Sequence, residues 1–221
     1  MRLRDRLEVG ERRQVQLTRL MELTLVGLLF IGIDGGNLGV VVTTAIALGV
    51  TKLPALLERD YELELDAGLT LWLTTAAFLH ALGVAGLPGT DTSLYGGLPF
   101  WDHVTHALSS SVVAAVGYIT VRALDEHLDG VVLDRQFVFV FILLFVMAFG
   151  VFWELLEFGV GRATAAFAVE TAGFTQHGLE DTMLDLVFDG LGGVIVAVWG
   201  HAHLTDVVGH LQRRLEARSA D

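Results

Sequence analysis

Three stretches of the chain set acidic and imidazole side chains one helical turn apart within otherwise apolar sequence. The first is Phe100-Trp101-Asp102-His103-Val104-Thr105-His106, and the second is Trp153-Glu154-Leu155-Leu156-Glu157-Phe158. The third is Asp181-Thr182-Met183-Leu184-Asp185-Leu186-Val187-Phe188-Asp189-Gly190. Asp102 and His106 are i, i+4, and Glu154 and Glu157 are i, i+3. Asp181, Asp185 and Asp189 repeat every four residues, so each set shares one face of a helix. At a rise of about 1.5 Å per residue, Asp189 lies roughly 12 Å along the axis from Asp181. With no cysteine in the chain, thiolate sites and disulfides are excluded. A metal here would be held by Asp, Glu and His, a donor set open to Zn²⁺, Mn²⁺, Mg²⁺ or Fe. The candidate ligands are Asp102, His106, Glu154, Glu157, Asp181, Asp185 and Asp189. A divalent ion among them would acidify a water for attack on an ester or phosphoester, with a spare carboxylate as general base.

Plainer roles exist for some of these residues. Asp102 and Asp181 stand where helices begin, and Asp there is a common N-cap favoured by the helix dipole. Glu157 also reads as a residue at the water interface. Capping does not account for His106, Glu154, Asp185 or Asp189, which lie at least a turn inside their helices. His80, mid-span in the third apolar segment, reads more simply as a histidine satisfied by a carbonyl. His177 fits either a loop residue or an outer ligand, and His201, His203 and His210 fit a solvated helix end. The small-residue runs Gly35-Gly36, Gly159-Val160-Gly161 and Gly190-Leu191-Gly192-Gly193 suit close helix approach. Trp72, Trp101, Trp153 and Trp199 suit membrane interfaces.

The elements that must position these groups are transmembrane helices. At 221 residues and 53% hydrophobic composition, with a mean hydropathy of +0.59, the chain is too apolar for a soluble domain. A bilayer core about 30 Å thick needs about 20 mostly apolar helical residues. Segments 17–33, 38–57, 69–87, 100–121, 137–158 and 181–203 meet that need, the first weakened by Glu22. Turn signals follow the first and third spans at Asp34-Gly35-Gly36-Asn37 and Leu87-Pro88-Gly89-Thr90-Asp91. No linker or internal repeat divides the chain. The fold class is therefore an all-α helical membrane bundle of about six spans over residues 17–204, with a cytoplasmic arm at 1–16 and a tail at 205–221. The first twenty residues lack the apolar core and cleavage site of a signal peptide.

Basic residues fix the expected orientation. With the N-terminus inside, the cytoplasmic face of a plasma membrane receives Arg2, Arg4, Arg6, Arg12, Arg13, Arg19, Lys52, Arg59, Arg122, Arg135, Arg213, Arg214 and Arg218, and only Arg162 lies outside. Both termini are then cytoplasmic, and the three polar sets converge on the extracytoplasmic half of spans four to six. The net charge of −12, from 26 acidic and 14 basic residues, argues against a nucleic-acid partner. The partner it does imply is the lipid bilayer. Lysine scarcity beside abundant Asp and Glu suits an extreme halophile.

At these motifs the chain resembles the YjdF-like (DUF2238) family of predicted multi-pass membrane proteins of unknown function. The matching residues are Phe100-Trp101-Asp102 with His106, Trp153-Glu154 with Glu157, and Asp181-Thr182-Met183 with Asp185, Asp189 and Gly190, which together run from about residue 99 to 193. The resemblance implies a compact helical membrane domain with a polar intramembrane cluster and supplies no reaction. His103 falls outside the pattern expected of the family.

Three functional classes follow. One is a metal-dependent membrane hydrolase of a lipid or phosphoester. The DxxxDxxxDG run invites comparison with CDP-alcohol phosphotransferases, but the DGxxAR segment that should precede it is missing, which excludes that family. The second is a cation or proton-coupled transporter, against which stand the lack of an inverted repeat and of charged residues in the other half of spans four and five. The third is a non-catalytic scaffold with a structural cation.

Overall fold

The computed structural model describes residues 10–63, 65–87, 92–98, 100–127, 132–167, 178–205, 207–209 and 211–213. Every regular element among them is helical: α1 (Glu11–Asp34), α2 (Leu38–Val50), α3 (Leu53–Tyr61), α4 (Ala67–Ala85), α5 (Leu94–Gly97), α6 (Trp101–His127), α7 (Arg135–Phe167) and α8 (Leu179–His203). Among the described residues, six stretches are long and apolar enough to cross a membrane, with α2 and α3 counted as one. The turn signal at residues 88–91, the arm before residue 10, His177, His210 and most of the tail lie outside the described residues.

The side chains are sorted for a lipid solvent. Leu144 is 66% exposed and Leu155 62%, whereas Asp185 is 2% exposed. In water that distribution would be inverted, since carboxylates are among the residues least often buried. Lipid makes it sensible, because apolar side chains lose nothing by facing acyl chains while ionised ones must turn inward.

By contact, the helices fall into two compact units, Met1–Ala85 and Gly86–Asp221. In the first, Leu25, Ala47 and Ala81 form a buried centre against Leu48, Ala77 and Phe78. Asn37 caps α2 by accepting from the Val40 N–H at 3.1 Å, and Asp66 caps α4 by accepting from the Leu69 N–H at 2.8 Å. The second span, expected to be continuous over 38–57, is broken at Thr51-Lys52. Pro54 explains the break: it lacks an N–H and its ring would strike the carbonyl of Val50, the last residue of α2. Lys52 is exposed there and its ammonium reaches Glu22 at 2.6 Å, which is how α1 carries that glutamate. α1 itself starts at Glu11, earlier than the expected span, because the polar residues before Leu17 continue the same helix.

The second unit is built on α6, α7 and α8. Asp134 caps α7 by accepting from the Phe137 N–H at 2.6 Å. At 33 residues, α7 is about 50 Å long, well past the expected end at residue 158. Glycines set the helix separations. A Cβ on Gly192 of α8 would collide with the Ala107 carbonyl and the Ser110 hydroxyl of α6, and one on Gly117 of α6 would lie 2.8 Å from Phe145 of α7. Gly193 faces Leu143 and Val146 of α7. A Cβ on Gly159 would meet nothing within 4 Å, whereas the Gly192 run bears out the expectation of close approach.

Candidate metal centre

All seven candidate ligands lie in the second unit, on the three helices joined by those glycine contacts. α6 brings Asp102 in its first turn and His106 one turn deeper. α8 brings Asp185 and Asp189 on the same stripe as Asp181, and α7 brings Glu154 and Glu157. His106, Glu154, Asp185 and Asp189 are buried, and Asp102, Asp181 and Glu157 are half-buried.

His106 is the hub. Its Nδ1 lies 3.2 Å from Asp189 Oδ1. Its Nε2 lies 3.6 Å from Asp102 Oδ1 and 3.9 Å from Asp185 Oδ1. Asp102, His106 and Asp185 each offer a donor atom, all within 4.8 Å of one another. Four-coordinate bonds of about 2.0–2.2 Å place donor atoms about 3.3–3.6 Å apart, so modest contraction would close this set around an ion. Asp189 meanwhile fixes the imidazole: a Nδ1–H donated to it leaves the Nε2 lone pair facing two carboxylate oxygens. That juxtaposition is repulsive unless Nε2 is itself protonated or a cation sits between them.

Gly150 holds Asp189 in place. A Cβ there would collide with Asp189 Oδ2 and stand 3.0 Å from Leu186, so the bare α7 backbone forms the wall behind that carboxylate. Beside His106 in sequence, the buried Thr105 hydroxyl donates to the Asp102 carbonyl at 2.8 Å and lies 3.4 Å from the Tyr95 hydroxyl of α5. Burial pushes the Tyr95 phenol above its ordinary range, so it remains a neutral hydrogen-bond donor.

The α7 carboxylates are held by hydrogen bonds of their own. Glu154 Oε2 accepts from the Thr182 hydroxyl of α8 at 2.7 Å, and Glu157 Oε1 accepts from the Trp153 indole N–H at 3.0 Å. The charges of Glu154, Asp181 and Asp102 all bear on Asp185. Among the described residues, Glu154 Oε1 and Asp185 Oδ1 are buried and meet no hydrogen-bond partner. The motif segments themselves contain no Lys or Arg, and Arg162, further along α7, is exposed.

His103 sets its ring edge-on to Phe188 of α8, with centroids 4.5 Å apart. His80 belongs to α4 in the other unit. Sequence reasoning assigned no role to Thr182 or Gly150 and took Trp153 for an interfacial aromatic. Its i, i+4 spacing to Glu157 was the available signal for the hydrogen bond.

A family model described as "Predicted membrane protein (DUF2238)" matches residues 17–206. Among curated proteins, an uncharacterized protein of Thermotoga maritima is 31% identical over 139 residues, or 63% of this chain and 65% of the relative. The match thus spans just under two thirds of that relative's length. No solved structure matches the chain.

Proposed function

The chain belongs to the DUF2238 family of predicted membrane proteins, and from that premise we propose that it binds a divalent metal ion within the membrane and uses it to hydrolyse a lipid or phosphoester. Asp102, His106 and Asp185 are the ligands in this reading, and Asp189 orients His106. The observation that carries it is the imidazole Nε2 facing Asp102 and Asp185 while Nδ1 is engaged by Asp189. Three protein ligands leave a coordination position for water or substrate, as catalytic sites do and closed structural sites do not. A bound ion would supply Lewis-acid polarisation of an ester or phosphoester oxygen. This chain's residues would hold the imidazole tautomer, exclude bulk water and present carboxylates to a proton.

The basic-residue asymmetry orients the site toward the extracytoplasmic leaflet of the plasma membrane with both termini cytoplasmic. The substrate would then reach it from the outer headgroup layer.

Thermal unfolding with and without added Zn²⁺, Mn²⁺ or Mg²⁺ tests the binding. An ion at about 100 times its Kd stabilises by ~2.7 kcal/mol, and Asp185→Asn and His106→Ala should each abolish that gain. An unmoved Tm with all three ions would overturn the reading and leave a proton between the carboxylates instead. Release of headgroup from phospholipid nanodiscs by the metal-loaded protein, lost in Asp185→Asn, tests the hydrolysis.

A further inference from the structure

A cavity of about 320 Å³ lies in the first compact unit. Val15, Arg19 and Glu22 of α1 line one side, and Leu65, Ala67 and Thr70 at the start of α4 line the other. Its depth in the membrane follows from the sequence of the helices around it. On α1, charged residues recur from Glu11 to Glu22, and none occurs from Leu23 to Ile33. α4 carries no Asp, Glu, Lys or Arg from Ala67 to Ala85. α2 ends at Val50, two residues before Lys52, whose ammonium reaches Glu22 at 2.6 Å. The cavity therefore sits where three helices pass from polar to apolar sequence, which is the level of lipid headgroups.

The charges at the cavity are unequal. Glu22 is paired with Lys52, and Asp66, beside the cavity in sequence, is engaged in capping α4. Arg19 meets no carboxylate among the described residues, so its guanidinium is the uncompensated charge of the lining. A guanidinium matches a phosphate with two parallel N–H donors, and Thr70 offers a hydroxyl from the facing side. Leu23, Val26 and Phe30 follow Arg19 at i+4, i+7 and i+11, on the same side of α1, and all three are exposed. An anion held at Arg19 thus has an apolar track running from it into the membrane.

We propose that this cavity binds an anionic phospholipid, with Arg19 on the headgroup phosphate and an acyl chain along Leu23, Val26 and Phe30. A free phosphate would use the Arg19 end alone and leave the apolar track idle. Arg12, Arg13, Arg19, Lys52 and Arg59 gather toward this end of the unit, and the positive-inside rule assigns such an end to the cytoplasmic leaflet. Anionic lipids of that leaflet are drawn to juxtamembrane basic residues. The site is separate from the metal cluster and does not depend on it.

The test is lipid binding to the full-length protein in detergent, read by native mass spectrometry with phosphatidylglycerol and with phosphatidylcholine of the same acyl chains. The wild type should take up one phosphatidylglycerol about fivefold more tightly than phosphatidylcholine, and Arg19→Gln should lose about that factor. Arg59→Gln, which removes an exposed charge already paired with Asp60, should change affinity less than about twofold. Ala67→Phe fills the cavity without altering charge and should weaken binding as well, which keeps the question open to decision if Arg19→Gln fails to fold. Inorganic phosphate at millimolar concentration should not displace the lipid. Equal affinities of the wild type for the two lipids, or unchanged binding in Arg19→Gln and Ala67→Phe, would overturn the site. Equal losses in Arg19→Gln and Arg59→Gln would reduce it to general surface charge, and displacement by inorganic phosphate would make it a site for a free anion; either overturns the lipid assignment.

Discussion

Replacing Gly150 with alanine perturbs the cluster without touching any proposed ligand. The added methyl would collide with Asp189 Oδ2 and stand 3.0 Å from Leu186 Cδ2 and 3.3 Å from Asp189 Cγ. The Asp189 carboxylate must therefore move by a substantial fraction of an ångström, and its 3.2 Å contact with His106 Nδ1 has little slack before it ceases to be a hydrogen bond. Loss of the group that orients a metal-bound histidine weakens metal affinity about 10–100-fold, or ~1.4–2.7 kcal/mol. Overpacking adds about 1–3 kcal/mol of instability, against which the higher helix propensity of alanine returns at most about 1 kcal/mol. Gly159→Ala, on the same helix with open space around it, is the control and should be neutral or slightly stabilising. Competition of each variant against a fluorescent chelator measures affinity, and thermal unfolding in chelator measures the metal-independent part. Wild-type affinity in Gly150→Ala, or equal losses in Gly150→Ala and Gly159→Ala, would refute the role given to Asp189.

Gly192→Val should destabilise by about 1–3 kcal/mol or more, since its side chain enters the space of Ala107 and Ser110; thermal unfolding with metal absent checks this. Lys52→Met should cost less than about 1 kcal/mol, because the pair it forms with Glu22 has side chains 60% and 26% exposed; the same assay at raised salt should show the difference shrinking. Reporter fusions after Asp60 and Asp129 should face the cytoplasm and those after Pro88 and Thr171 the outside; reversal at any of the four breaks the orientation.

Helix count and polar faces were legible in the sequence because both follow from local rules, apolar length for the spans and 3.6-residue spacing for the faces. Asp102 and His106, and the Asp185 and Asp189 pair, were therefore placed on the right sides of their helices. The pairing between helices was not legible. Whether Asp185 or Asp189 meets Nδ1 depends on how far α8 slides along α6, and that offset is set by Gly192 seating on the Ala107 carbonyl. Gly150 escaped notice as a lone glycine in an apolar run, whereas Gly159, in a small-residue run, has room for a Cβ. The break before Pro54 was legible in principle, since a proline four residues past Val50 cannot share an unbroken helix with it without strain.

The central claim is most directly tested by elemental analysis of protein purified without chelator, wild type beside His106→Ala. At least one equivalent of a divalent transition ion or Mg²⁺ per wild-type chain is expected, with His106→Ala, folded by its circular dichroism, retaining much less. A metal-free wild type, or equal metal in the two proteins, would contradict it.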